Sequence, residues 1–198
     1  MRLVFCVVSV MAALFLSGCE AVFTQQPLGD EVVKLDKDLW QGTWLGDEVV
    51  VLTTVLDDEK GLLQAAWVER GQDGARFEAV TGSVRRSGDV LFLNMEHQKT
   101  DADTASDQAA GRPGDDSGFA SEYYWARIEN DGRKAVFWWP DVGRIRLAVQ
   151  QGSLPGRIEQ DQDVILGPLD ANQLARINDP SSGLLDWSRP VTLIRIGD

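Results

Sequence analysis

The chain is organised as short apolar runs rich in β-branched residues, each ended by a turn that carries Gly or Asp. Glu48 to Leu56 is followed, across Asp57-Asp58-Glu59-Lys60-Gly61, by Leu62 to Val68. Gly71-Gln72-Asp73-Gly74 leads into Arg76 to Arg85, and Ser87-Gly88 into Asp89 to Met95. Asn130-Asp131-Gly132 separates Glu122 to Glu129 from Lys134 to Trp139. Val, Ile and Thr fit a pleated surface, and connections this short join antiparallel neighbours. The pattern therefore predicts a meander of six strands.

The last third mixes periods. In Asp141 to Gln151, Ile145, Leu147 and Val149 alternate as in a strand. Val142, Ile145, Ala148 and Val149 also share one helical face, with Asp141 as N-cap and Gly152 as stop, and these end signals favour a helix. Asp163 to Leu166 reads as a short strand, Asp170 to Ile177 as a helix capped by Asp170, and Val191 to Ile196 as a final strand. The expected fold class is mainly β, with α+β as the variant. It is an antiparallel meander, closed as a barrel or left as a curved sheet, with one or two short C-terminal helices.

Composition narrows the function classes. The chain is 43% hydrophobic, which excludes wholesale disorder. Nineteen Lys and Arg against 31 Asp and Glu give a net charge of −12, the wrong sign for a phosphate backbone, so no nucleic-acid partner is expected. Between His97 and Ala120 the chain becomes a polar stretch with Phe119 as its one large apolar residue. Its length and its Ala, Gly, Asp and Ser content predict a mobile insertion rather than a binding lid.

The N-terminus has a different character. Arg2 precedes an apolar run from Leu3 to Leu16 in which Ser9 is the polar member. As a helix it would span about 21 Å, short of the roughly 30 Å hydrocarbon core, which fits a secretory signal peptide better than a permanent span. The run ends in Leu16-Ser17-Gly18-Cys19, which resembles the lipobox of bacterial lipoproteins. That resemblance implies cleavage after residue 18, acylation of Cys19 by diacylglyceryl and amide-linked chains such as palmitate, and membrane attachment through several acyl chains. Glu20, where an Asp resembles an inner-membrane retention signal, favours the outer membrane. The expected organisation is a signal peptide over 1–18, a lipidated Cys and tether over 19–38, and one β-rich domain over 39–198.

Cysteine usage then removes further chemistry. Cys6 falls in the signal peptide and Cys19 is the lipidation site, so the mature domain carries no thiol. Disulfides, cysteine nucleophiles and Cys-ligated zinc or iron–sulfur centres are not expected.

Gly42-Thr43-Trp44, after Leu39-Trp40, resembles the G-x-W that opens the first strand of lipocalins and related barrels. The resemblance implies a Trp packed across the barrel bottom and a Gly that lets the backbone pass close to it. The chain departs from that family in lacking a T-D-Y segment and a disulfide.

Tyr123, Tyr124, Trp125, Trp138 and Trp139 crowd one hairpin, and successive strand residues point to opposite faces. They are expected as core on one face and helix packing on the other, with an apolar ligand cavity as the functional alternative. In that alternative Trp67, Trp125 and Trp138 line the cavity. His97, the single histidine, cannot build a multi-His metal site, and Asp101 with Asp103 lacks the Gly and Glu of a calcium loop. Arg144, Arg146, Arg157, Arg189 and Arg195 suit either an anionic ligand or packed stems with wetted heads.

The expectation is a non-enzymatic, cofactor-free lipoprotein facing the periplasm that binds a small apolar or amphiphilic ligand in a barrel-like cavity. The alternative is an interaction or assembly module of the envelope with a fully packed core.

Overall fold

The structure, a computed structural model, describes residues 20–47, 49–71, 74–97, 122–159 and 163–197. The signal segment, Cys19 and the polar stretch beyond His97 lie outside these residues.

The chain enters through β1 (Val22–Thr24) and β2 (Glu31–Val32), then forms helix α1 (Lys37–Trp40). The meander follows as β3 (Gly42–Leu45), β4 (Val50–Asp57), β5 (Leu62–Gly71), β6 (Gly74–Ser87), β7 (Val90–His97), β8 (Glu122–Asn130) and β9 (Lys134–Trp138). Helix α2 (Val142–Gln150), β10 (Gly156–Ile158), β11 (Val164–Leu166), helix α3 (Ala171–Ile177), a 3-10 turn (Pro180–Ser182) and β12 (Val191–Gly197) complete it.

Eight strands, β3 to β9 with β12, close an antiparallel barrel. The closing strand is β12, which pairs with β3 through Ile194↔Leu45 and with β9 through Leu193↔Ala135. Closure joins the first and last strands of the ring, which removes the long free edges an open sheet would leave. The six strands expected from the hairpin pattern are β4 to β9, and the choice between barrel and curved sheet is resolved as a barrel.

One strand is shared between two sheets. The lower half of β8 pairs with β9 (Arg127↔Trp138, Ile128↔Phe137), while its upper half pairs with β1 (Phe23↔Tyr124). β1 runs parallel to β11, which pairs antiparallel with β10. A three-stranded wing thus branches from the barrel wall.

Helices α2 and α3 contribute to a core outside the barrel, together with β7, β8 and the wing. Phe92, Trp125, Ile145, Val164, Leu166 and Ile177 are buried in it. The end signals read from sequence are the ones used. The Asp141 carboxylate accepts from Arg144 N at 3.0 Å. Asp170 and Gln173 form a reciprocal capping box, each donating its backbone N–H to the other's side chain at 2.8 Å. Ile145 and Ala148 are buried on α2 while Leu147 is exposed, which is the helical face and not the alternating one.

The segment 20–38 differs from expectation. It is not a free tether: β1 is buried and paired, β2 pairs with β6, and α1 begins at Lys37. Its short apolar groups were too brief to show a period, and the partners that order them lie 53 to 142 residues away in sequence.

Candidate functional site

Register decides which side chains share the barrel interior. Directly paired residues stand on one face, so Trp44, Val51, Trp67 and Glu78 form a row across β3 to β6. Val84, Leu93 and Ala126 make another across β6 to β8. Val55, Leu63, Val84, Leu93 and Ile128, from five successive strands, meet in one cluster with Leu35 and Trp40, and that convergence identifies the lumen.

The lower end is shut. Helix α1 lies under the barrel, with Asp36 as its N-cap. A helix leaves its last carbonyls without internal partners. Here residues on barrel strands supply donors. Arg195 donates to Asp38 O and, at 2.6 Å, to Gln41 O. Asn130 Nδ2 donates to Leu39 O at 3.1 Å, and Thr53 Oγ1 to Trp40 O at 2.6 Å. Trp44 Nε1 donates in turn to Thr53 Oγ1 at 2.8 Å. The Arg195 guanidinium sits 5.8 Å from the Trp44 ring centroid, within cation–π range. Four consecutive carbonyls are thereby fixed to strands β4, β8 and β12, and the floor is a rigid plug.

Trp44 is 2% exposed, the bottom-packing position that its G-x-W resemblance implies. A Cβ on Gly42 would come within 2.9 Å of Arg195 Nε, so the glycine makes room for this side chain. Arg195 is one of the five arginines named from the sequence, but its role in holding the floor was not legible there. It lies 154 positions from its acceptor at Gln41, and no local pattern distinguishes it from the other arginines.

The upper end is built differently. Leu63, Val84, Leu93, Ile128, Ala135 and Leu193 in the lower half are buried. Trp67, Glu78 and Val80 face inward towards the other end and are only half-buried, while Val51, Met95 and Phe137, also half-buried, pack against the buried clusters. Beside them, where β9 gives way to β1 along β8, Phe23, His97 and Tyr124 form an aromatic cluster. Phe23 and Tyr124 lie 4.4 Å apart and His97 is 5.2 Å from each. The inward side chains therefore grade from buried at the floor to partly buried towards the other end, where Glu78 stands directly across from Trp67.

The three tryptophans expected to line a cavity are divided by the wall. Trp67 faces the lumen. Trp125 (1% exposed) and Trp138 belong to the outer core beneath the helices. Their parity explains it: Asn94↔Trp125 and Arg127↔Trp138 are outward pairs, one step from the inward Leu93↔Ala126 and Ile128↔Phe137. Outside, the Arg127 guanidinium lies 5.0 Å from Trp138 and 4.8 Å from Trp187, and pairs with Glu129 at 2.6 Å. This is packing on the outside of the wall.

Two clefts, of about 430 and 400 Å³, flank the incoming segment 24–30 on the outer wall. Leu169, Leu174 and Arg85 line the first, and Ala79, Thr81 and Tyr123 the second.

The carboxyls with shifted acidity sit in turns. Asp131 is held below its usual 3.8 by backbone N–H groups of Arg133 and Lys134, Asp179 by Ser181, and Asp186 by the Ser188 hydroxyl and then Arg189. Their perturbation belongs to turn geometry, not to a reacting centre. Among the described residues, no group of three or more His, Cys, Asp or Glu is placed to hold a metal ion, and no helix is long and apolar enough to cross a membrane.

Together the closed ring and the plug make a closed eight-stranded antiparallel β-barrel, consistent with the lipocalin-like resemblance of Gly42-Thr43-Trp44. No protein-family profile, curated protein or solved structure matches the chain.

Proposed function

We propose that the protein is a non-enzymatic, lipid-anchored protein of the bacterial envelope whose barrel holds a small apolar or amphiphilic molecule in its upper chamber. One observation carries the ligand half of this reading. The same inner wall is filled by α1 at one end and only partly buried around Trp67, Glu78 and Val80 at the other. Apolar surface kept partly in water costs stability, on the order of 25 cal/mol per Å², and a ligand that covers it recovers that free energy. The plug makes the lower end impassable, so entry is from the end bearing the β3–β4 and β5–β6 turns. The anchor half rests on Leu16-Ser17-Gly18-Cys19, and Glu20 favours the outer membrane, with the domain in the periplasm.

Titration with brominated fatty acids tests the chamber. Saturable quenching of tryptophan fluorescence is expected, reduced by Trp67→Phe and unchanged in Trp138→Phe, whose ring lies outside the wall. Quenching that is absent, or indifferent to Trp67, overturns the reading. A second reading, an interaction module of the envelope, is favoured by a separate feature, the bare outer wall.

A further inference from the structure

The barrel is jacketed on one side only. The helices and wing cover β7 and β8, and segment 24–32 covers the lower part of β6, whereas the outer faces of β12, β3, β4, β5 and the upper part of β6 are free of such a cover. Register arranges their side chains in rows. Ile194↔Leu45 and Leu45↔Val50 are direct pairs, Val68 follows next to the Val51↔Trp67 pair, and Val68 pairs with Phe77. One apolar row thus crosses five strands without interruption. Beside it run Thr43, Leu52, Ala66 and Ala79, with Ile196 at the β12 end. Phe77 is 72% exposed, Val68 58% and Leu52 53%.

We propose that this wall is the interface for a second copy of the chain, packed barrel against barrel about a two-fold axis. Area is the first argument. With ordinary side-chain areas the exposed apolar residues leave roughly 700 Å² in water, above the roughly 300–600 Å² of the largest patch on a typical monomer. It is close to the roughly 800 Å² that each partner contributes to a standard interface. Charge is the second. The two rows hold no ionisable side chain in a chain of net charge −12, so this surface can meet its own copy with no like charges opposed. An anionic bilayer surface is a poorer occupant, since the turns at the two ends of the wall carry Asp47 and Asp57-Asp58-Glu59. Sheets packed face to face interdigitate at about 10 Å with strands near −30°, and rows of Leu, Ile, Val and Phe suit that contact.

The experiment places a photo-crosslinking amino acid at Leu52 of the full-length chain, in growing cells. A product of twice the protomer mass, containing peptides of this chain alone, is expected. The same label at Leu147, equally exposed on α2, should give none. Val50→Lys with Ile194→Lys should remove the product while far-ultraviolet dichroism and the melting transition are retained. Adducts only to lipid or to another protein, no adduct at all, equal yield at Leu147, or a dimer indifferent to the lysines would each overturn the proposal. If the lysine pair does not fold, Leu52→Glu replaces it, read by sedimentation of the purified chain, and a dimer that persists overturns it equally.

Discussion

Arg195 shows how much one side chain can hold when its acceptors are otherwise orphaned. Its guanidinium reaches carbonyls of residues 38, 41 and 132 and lies against Trp44. Charge-assisted bonds of this kind contribute about 1.5–3 kcal/mol each when their loss leaves partners unsatisfied. Arg195→Met is expected to lower unfolding free energy by about 2–4 kcal/mol in urea denaturation. It should also increase hydrogen exchange in α1 ahead of the barrel strands, and unchanged protection there would contradict the plug. Gly61 is the matching constraint on the backbone. With φ +67, a Cβ there would lie 2.7 Å from Val84 O and 2.8 Å from Val33 O, so the incoming segment crosses β6 only because this position has no side chain. The sequence displayed Gly61 as a turn residue but offered no sign of what passes over it.

At the scale of elements, legibility followed locality. Strands β4 to β9 were readable because, save for the long polar stretch between β7 and β8, each pairs with its chain neighbour across a short Gly- or Asp-bearing turn, and α2 and α3 because their caps lie within three residues. Strands of two or three residues such as β1, β2 and β10 are defined by partners and not by pattern, so no period announced them. Turns also set the acid response. Asp57, Asp131, Asp179 and Asp186 have folded acidities below the usual 3.8, because N–H groups, hydroxyls and nearby cations bind the charged form. Such groups stabilise the fold above pH 3.8, and their contribution is lost as pH falls through their lower folded values. The melting temperature is therefore expected to drop as pH is lowered below about 4. Asp131→Asn, which keeps the acceptor but cannot titrate, should melt with a shallower pH dependence. Equal slopes would mean that the β8–β9 turn plays no part.

For the whole molecule, closure depends on the most distant pairing in the chain, β12 between β3 and β9, which no hairpin rule could specify. The sequence narrowed the architecture to barrel or curved sheet, and the long-range contacts decided it. The same limit split the expected aromatic trio, since strand parity can be counted but the side holding the lumen cannot. The cellular address rests on residues before the domain. Cys19→Ala is expected to abolish acyl labelling and block cleavage at this site, and a membrane-bound product of mature size would sink it.

The wing around β1 has a mechanical consequence. Glu20 pairs with Arg146 at 2.6 Å, Ala21 N donates to Asp163 Oδ1 at 2.6 Å, and β1 is clamped between β8 and β11. With residue 19 as the proposed point of attachment, only residues 20 and 21 would separate it from β1, and the body would stand within about 10 Å of whatever holds it. A tug at that end would load two rows of hydrogen bonds in shear rather than peel one strand away. The globule would ride close to its support, and its swivel would be confined to the acyl chains themselves.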